Sequence, residues 1–241
     1  LAEQGVTPDS RQALQVAAVQ GRLLGLPSGI ESLKRLAQNY PDEPDNYLAL
    51  ASALNLAGEE SEAMTAVDRA AALDPQDVRP LRVRAQILIG QGRLDEARPV
   101  LDEAEKRYRE LGFEAGVAEI LEVQGYLKFE EKRYEEAAAD YRHATEAFRE
   151  AGLPIRALGD VQSVADMNLK LWRLDEAEGG YRKTLEGLRE AGHYSQIVDT
   201  LSGLGALLLR QRKMEEAEAT LKEADEEATK LGNEQLRAAP L

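Results

Sequence analysis

Cysteine is absent from all 241 residues, which removes disulfides and thiolate metal sites from consideration. Aromatic residues amount to 5%. No alternating run of Val, Ile, Thr and aromatic residues is long enough to read as a strand, and no Asn-Gly or Asp-Gly hairpin turn occurs. A sheet is therefore not expected. No stretch of about eighteen apolar residues is present to cross a bilayer, and no charged-then-apolar leader marks a signal peptide. The Gly-Lys-Ser/Thr phosphate loop, His-Glu-x-x-His and Gly-x-Ser-x-Gly are missing as well. A non-enzymatic chain without a cofactor is the expectation. The compartment expected is the cytoplasm; because Leu1 is not a methionine, export or membership in a longer chain stays open.

What the chain does have is 43% hydrophobic and 31% charged residues, dominated by alanine and leucine. That balance is typical of amphipathic helices packed closely together, so the fold class expected is all-α. The formal net charge of −14 is spread along the sequence rather than gathered in a tail. A surface of that sign repels phosphate backbones and anionic headgroups, so nucleic acid is not expected as a direct partner.

The most informative feature is an internal period. Acidic-Ala pairs recur at Glu62-Ala63, Glu96-Ala97, Glu136-Ala137, Glu176-Ala177 and Glu216-Ala217, so that the alanines step by 34 and then three times by 40. Four and seven residues after each alanine come further packing residues: Val67 and Ala70, Leu101 and Ala104, Tyr141 and Ala144, Tyr181 and Thr184, Leu221 and Ala224. Spacings of four and three place these on one helix face. Ahead of each pair lies a turn, and ahead of the turn a second helical stripe whose third member is always small: Ala51, Ala85, Gly125, Ala165, Gly205. A small residue there lets two antiparallel helices approach closely. Each unit reads as a helical hairpin.

Residues 44–77 resemble a tetratricopeptide repeat. Tyr47, Leu50, Ala51, Gly58, Ala63, Val67, Ala70 and Pro75 fall where that family places an aromatic, a leucine, a small residue, the turn glycine, an alanine, a large apolar residue, an alanine and the closing proline. The stretch from Asp9 to Pro41 fits more loosely, with Leu33, Leu36 and Pro41 in register but Gly29 in place of alanine. The resemblance implies a right-handed superhelical solenoid of about six helix-turn-helix hairpins. Its expected units are 9–43, 44–77, 78–117, 118–157, 158–197 and 198–232, within a single domain 9–232 that follows a lead-in at 1–8. Residues 233–241 are expected to form a tail or short cap limited by Pro240.

The later units exceed the usual length by six residues, about 9 Å of added helix at ~1.5 Å per residue. Their second helices are expected to close on Gly112, Gly152, Gly192 and Gly232, since glycine accepts the left-handed conformation that caps free carbonyls. Such lengthened repeats are similar to those of kinesin light chains, G-protein-signalling modulators and the sensor regions of bacterial transcription regulators. One hairpin cannot bury its apolar face alone; stacking hairpins supplies that face again and again. The last hairpin shows Glu218, Lys222, Asp225 and Glu226 on its outer side, as a terminal repeat would.

Candidate chemistry is confined to surfaces. His143 and His193 lie outside any ligand cluster of recognised spacing, and Gly203-Leu-Gly205 reads as close helix packing rather than a nucleotide fingerprint. The recurring acidic pairs sit at helix starts, where they favour the helix dipole. In the family, first helices line a concave groove. The matching residues here include Arg79, Arg82 and Gln86, then Glu119, Glu122, Tyr126 and Phe129, then Gln162 and Asp166. Arg79 and Arg82 suit a carboxylate held by bidentate bonds. Tyr126 with Phe129 suits an apolar anchor.

The lysine and asparagine pattern with which chaperone cofactors of this family clamp a terminal carboxylate is missing. Arg84, Gln124, Lys128 and Asn168 interrupt the apolar stripe. They read either as stems lying on the core with heads in groove water or as a polar floor that reads a ligand. Trp172, in place of a turn glycine, is expected on the surface against the next hairpin. The function expected is a scaffold that binds a peptide or partner protein in the groove. The alternative is a ligand- or peptide-sensing regulatory module of a larger protein.

Overall fold

The computed structural model describes residues 10–23 and 27–238; the expected lead-in at 1–8 and Pro240 lie outside them. Among the described residues there are twelve helices and no strand, as the composition predicts. Two compact units divide the chain, one up to Arg107 and one from Tyr108 onward.

In the first unit, α1 (Arg11–Leu23) packs on α2 (Pro27–Asn39), α2 on α3 (Pro44–Leu56), α3 on α4 (Glu60–Leu73), and α4 on α5 (Arg79–Gly90). The division between the units falls within α6 (Leu94–Glu110). The second unit repeats the scheme with α7 (Glu114–Glu130), α8 (Tyr134–Glu150), α9 (Pro154–Lys170), α10 (Leu174–Ala191), α11 (Tyr194–Arg210) and α12 (Met214–Ala238), each packed on the next. Connections too short to cross the fold force neighbouring helices antiparallel. Within each unit the hairpins therefore stack in chain order.

The helices start and stop where local chemistry dictates. Pro44 and Pro154 stand at helix starts, where a missing N–H costs nothing. Glu60, Asp95, Glu135, Asp175 and Glu215 fall in first turns and favour the positive end of the helix dipole. The five hairpin turns from Gly58 onward close with the same pair of backbone bonds. At Gly58, the Glu59 N–H reaches Leu54 O (2.9 Å) and the Gly58 N–H reaches Asn55 O (3.1 Å). This Schellman arrangement satisfies the last carbonyls of the helix and requires a left-handed residue at its centre. Gly58 and Gly92 supply it with φ of 76° and 71°. In the second unit Lys132, Trp172 and Arg212 adopt φ of 61°, 60° and 61° at the equivalent place. Trp172 is 71% exposed, and the Arg210 guanidinium at the end of α11 lies 5.9 Å over its ring, so the indole does meet the next hairpin.

Two details differ from expectation. The first helices of the later hairpins begin at Glu114, Pro154 and Tyr194, four residues ahead of the starts expected at 118, 158 and 198. The turns at Gly112, Gly152 and Gly192 cap one helix and launch the next with no spacer. Gly232 does not close the last helix, because it lies inside α12, which runs on to Ala238. A lone glycine costs a helix only about 1 kcal/mol, and its neighbours Lys230, Leu231, Glu234 and Gln235 are good helix formers.

Packing explains the small residues. Ala51, Ala85 and Ala165 are fully buried. A methyl on Gly125 would stand 3.0 Å from the Tyr141 ring, and one on Gly205 would come within 2.5 Å of Leu221. The first unit's core is aliphatic, built on Leu14, Leu36, Leu54, Val67 and Ile87. Tyr181, Leu185, Leu201 and Leu207 carry that of the second. Fully burying such a side chain contributes roughly 1.5–3 kcal/mol, so the repeated faces are what hold each stack.

Candidate protein-interaction site

The first helices of each unit line an open hollow. In the first unit it measures about 580 Å³ and is walled by residues of α1, α2, α3 and α5, among them Val19, Leu33, Leu48, Ser52, Arg79 and Arg82. Its arginines are already engaged. The Arg79 guanidinium bonds Asp45 of the preceding hairpin at 2.8 Å and Asp77 at 2.9 Å, and these carboxylates, Asp77 above all, hold it charged beyond even its ordinary range. Arg82 Nη1 lies 3.4 Å from Gln86 Oε1.

In the second unit, Glu119 and Glu122 of α7 both receive Arg156 of α9, at 2.9 Å each. The same guanidinium sits 4.6 Å over the Phe148 ring. Beside this bridge lies Asp160, only 2% exposed, with no hydrogen bond to its Oδ2. Burial, reinforced by the nearby Glu122 charge and only partly offset by Arg156, pushes its pKa up to about 8. Its surroundings thus favour the neutral carboxyl over the carboxylate.

Further along the same helices opens a hollow of about 410 Å³, lined by Tyr126 and Phe129 of α7, Asp166 and Lys170 of α9, and Tyr141 and Tyr181 from the second helices. The Tyr126 and Phe129 rings stack at 6.3 Å and 19°. Gly203 of α11 leaves room for the Tyr181 ring, since a methyl there would stand 2.9 Å from it. The Tyr181 hydroxyl donates to Asp166. Burial raises the Asp166 pKa, against the pull of that hydrogen bond and of Lys170. Burial also raises the phenol pKa values of Tyr126, Tyr141 and Tyr181.

The structure thus gathers Tyr126, Phe129 and Asp166 into one hollow and Arg79 with Arg82 into another. Gln162 lies apart, in a smaller hollow of about 170 Å³, its Oε1 accepting from Thr200 at 2.6 Å. Two of the polar residues in the stripe turn out to be ion-paired with second helices: Arg84 with Asp68 at 2.6 Å and Lys128 with Asp140 at 2.5 Å. Asn168 is buried with its Oδ1 unpaired. Sequence reading missed Arg156, Asp160 and the two core tyrosines as groove residues. The only signal available was that Tyr141 and Tyr181 recur four residues after the marker alanine where other hairpins have Val67, Leu101 or Leu221. Both histidines are exposed, and among the described residues no group of three or more histidines and carboxylates is arranged to hold a metal ion. No described helix is long and apolar enough to cross a membrane.

The family model for the tetratricopeptide repeat matches residues 22–78 and 82–151. No curated protein matches the chain in sequence. Solved structures similar to it include BtubC of P. vanneervenii, at 19% identity and TM-score 0.67, with 91% of this chain and 92% of that one covered. A thermophilic TPR protein of Thermus thermophilus, TTC0263, superposes with TM-score 0.68 at 20% identity, over 83% of this chain and 100% of its own. A Rap protein complexed with competence and sporulation factor gives TM-score 0.64 at 14% identity, covering 92% of this chain and 76% of that one. At these identities the likeness concerns the fold.

Proposed function

The chain belongs to the tetratricopeptide-repeat family, and we propose that it is a non-enzymatic scaffold that binds a peptide or a segment of a partner protein along the first-helix face of its hairpins. The observation that carries this reading is the aromatic hollow of the second unit. Tyr126 is 40% exposed there, beside a stacked phenylalanine, on the face where successive first helices run side by side. A large ring standing half in water with a ready-made stacking partner is the type of residue that dominates binding energy when a partner covers it. Extended or helical segments suit such a surface, because alternate side chains can enter successive hollows.

Selection of a phage-displayed random peptide library against the protein tests the reading. Selected peptides are expected to bind at least about tenfold more weakly to Tyr126→Ala, a loss in the range of an aromatic hot spot. Binding to His143→Ala, altered on the exposed face of α8, should be unchanged. Peptides that bind both variants like the parent, or a library that yields no binder, would overturn the proposal.

A second reading, a regulatory module that senses a peptide or small ligand, draws support from the likeness to the Rap protein solved with competence and sporulation factor. A DNA-binding or ATPase domain encoded next to this segment would favour it.

A further inference from the structure

We propose that the aromatic hollow of the second unit takes the cationic side chain of an arginine or lysine from the partner segment, with Asp166 as its counter-charge and the surrounding rings against its stem. This rests on the groove reading above and names the chemistry that the groove selects.

Shape and charge argue together. The hollow is open, holds about 410 Å³, and is lined by the half-exposed ring of Tyr126 and the partly buried ring of Phe129, with Leu169 and the buried Met167, Tyr141 and Tyr181 completing its lining. A long side chain with an apolar stem and a charged head fits walls of that kind, because the stem lies on the rings and aliphatics while the head seeks a carboxylate. That carboxylate is Asp166, fixed in direction by the Tyr181 hydroxyl. A second carboxylate, Glu130, lies near the Tyr126 hydroxyl and adds negative charge on that side. Lys170 is the cation among the lining residues; it is exposed, and its charge already acts on Asp166, so an incoming cation would share that carboxylate with it.

Other occupants fare worse. An acidic side chain would be driven against Asp166 inside a partly desolvated space, with Glu130 near its rim adding to the repulsion. A purely apolar one would cover Asp166 without compensating its charge, the condition that burial already makes unfavourable for this carboxyl. The net charge of −14 favours basic partners over the chain as a whole. The hollow of the first unit makes an internal contrast: its walls include two arginines and no aromatic ring, so the same ligand is not expected there.

The test uses N-acetyl-arginine amide and its neutral isostere N-acetyl-citrulline amide, followed by NMR through the methyl groups of Met167 and Leu169. The arginine compound is expected to shift both methyls and to bind about fivefold more tightly than the citrulline compound, the worth of one partly exposed charge pair. Asp166→Asn should abolish that preference. If that variant does not fold, Tyr126→Leu serves instead, since it alters a half-exposed ring and should weaken the arginine compound about threefold through loss of its cation–π face. Equal binding of the two compounds, methyls unmoved by arginine, or preferential binding of N-acetyl-glutamate amide would each overturn the proposal. Phage-selected peptides that need Tyr126 while the arginine compound leaves Met167 unmoved would sink this inference alone. Peptides indifferent to Tyr126 would sink the groove reading, whatever the small compounds do.

Discussion

The two units build the same hairpin from different material. Helices α1–α5 of the first run 12–14 residues, turn on Gly58 and Gly92, and close on alanine, leucine and valine. In the second unit, helices α7–α11 run 17–18 residues, turn on Lys132, Trp172 and Arg212, and carry tyrosines in the core against Gly125 and Gly203. Removing side chains from the first helices created space that rings on the second helices fill, and those rings bring hydroxyl groups to the groove. The first unit shows how a repeat becomes stable. The second shows how the same repeat acquires a polar, aromatic floor without changing its backbone plan.

That contrast can be broken most severely at its largest ring. Tyr181→Ala removes a fully buried side chain and leaves Asp166 without its donor, so urea unfolding should show a loss of about 4 kcal/mol. The equally buried Val67→Ala in the first unit should cost about 2 kcal/mol. Equal losses would mean that the tyrosine core is not the mainstay of the second unit.

The next effect is a pH dependence that Asp160 gives to the second unit. Its folded pKa of about 8 lies above the ordinary 3.8, so between those values the native state holds a proton that the unfolded chain has released. Stability contributed by this group is therefore fully present below about pH 4 and falls as pH rises toward 8, at no more than about 1.4 kcal/mol per unit. The groups around it are Glu122, Arg156 and Tyr141. Asp160→Asn, compared with the parent in urea titrations at pH 5 and pH 8, should remove about 2 kcal/mol of the decline. An unchanged slope would show that the carboxyl is hydrated and ionised.

The smallest effects lie in the turns. Lys132→Gly and Arg212→Gly should each raise stability by about 1 kcal/mol, because a side chain in the left-handed region is strained and glycine is not. Gly58→Ala and Gly92→Ala should lower it by about the same amount. Trp172→Gly should gain less, since it forfeits the Arg210 contact. Melting temperatures of the five variants check the ranking.

Much of this was legible beforehand. The 34- and 40-residue steps of Ala63, Ala97, Ala137, Ala177 and Ala217 located every second helix from α4 onward, and those alanines are all fully buried. The small residues of the first helices were read correctly as points of close approach. Tyr126, Phe129 and Asp166 were picked from the family resemblance, as residues matching its groove positions, and they line one hollow. Other features were not legible, because they depend on which charged neighbour arrives first. Arg79 looked available for a ligand carboxylate, yet Asp45 sits 34 residues away in sequence and 2.8 Å away in space. Glu119 and Glu122 are bridged by Arg156 in the same way. Gly232 was misjudged for the opposite reason: a local stop signal is weak when the residues on both sides favour helix.

Local periodicity, read from the chain alone, determined the helix pairs, their turns and the residues that pack between them, since each of these follows from contacts within a few residues or from one repeated face. Stacking decided which charges pair with one another, that burial pushes Asp160 toward its neutral form, and that Tyr181 meets Asp166. Those outcomes turn on side chains brought together by folding, at distances and degrees of burial that no sequence interval encodes.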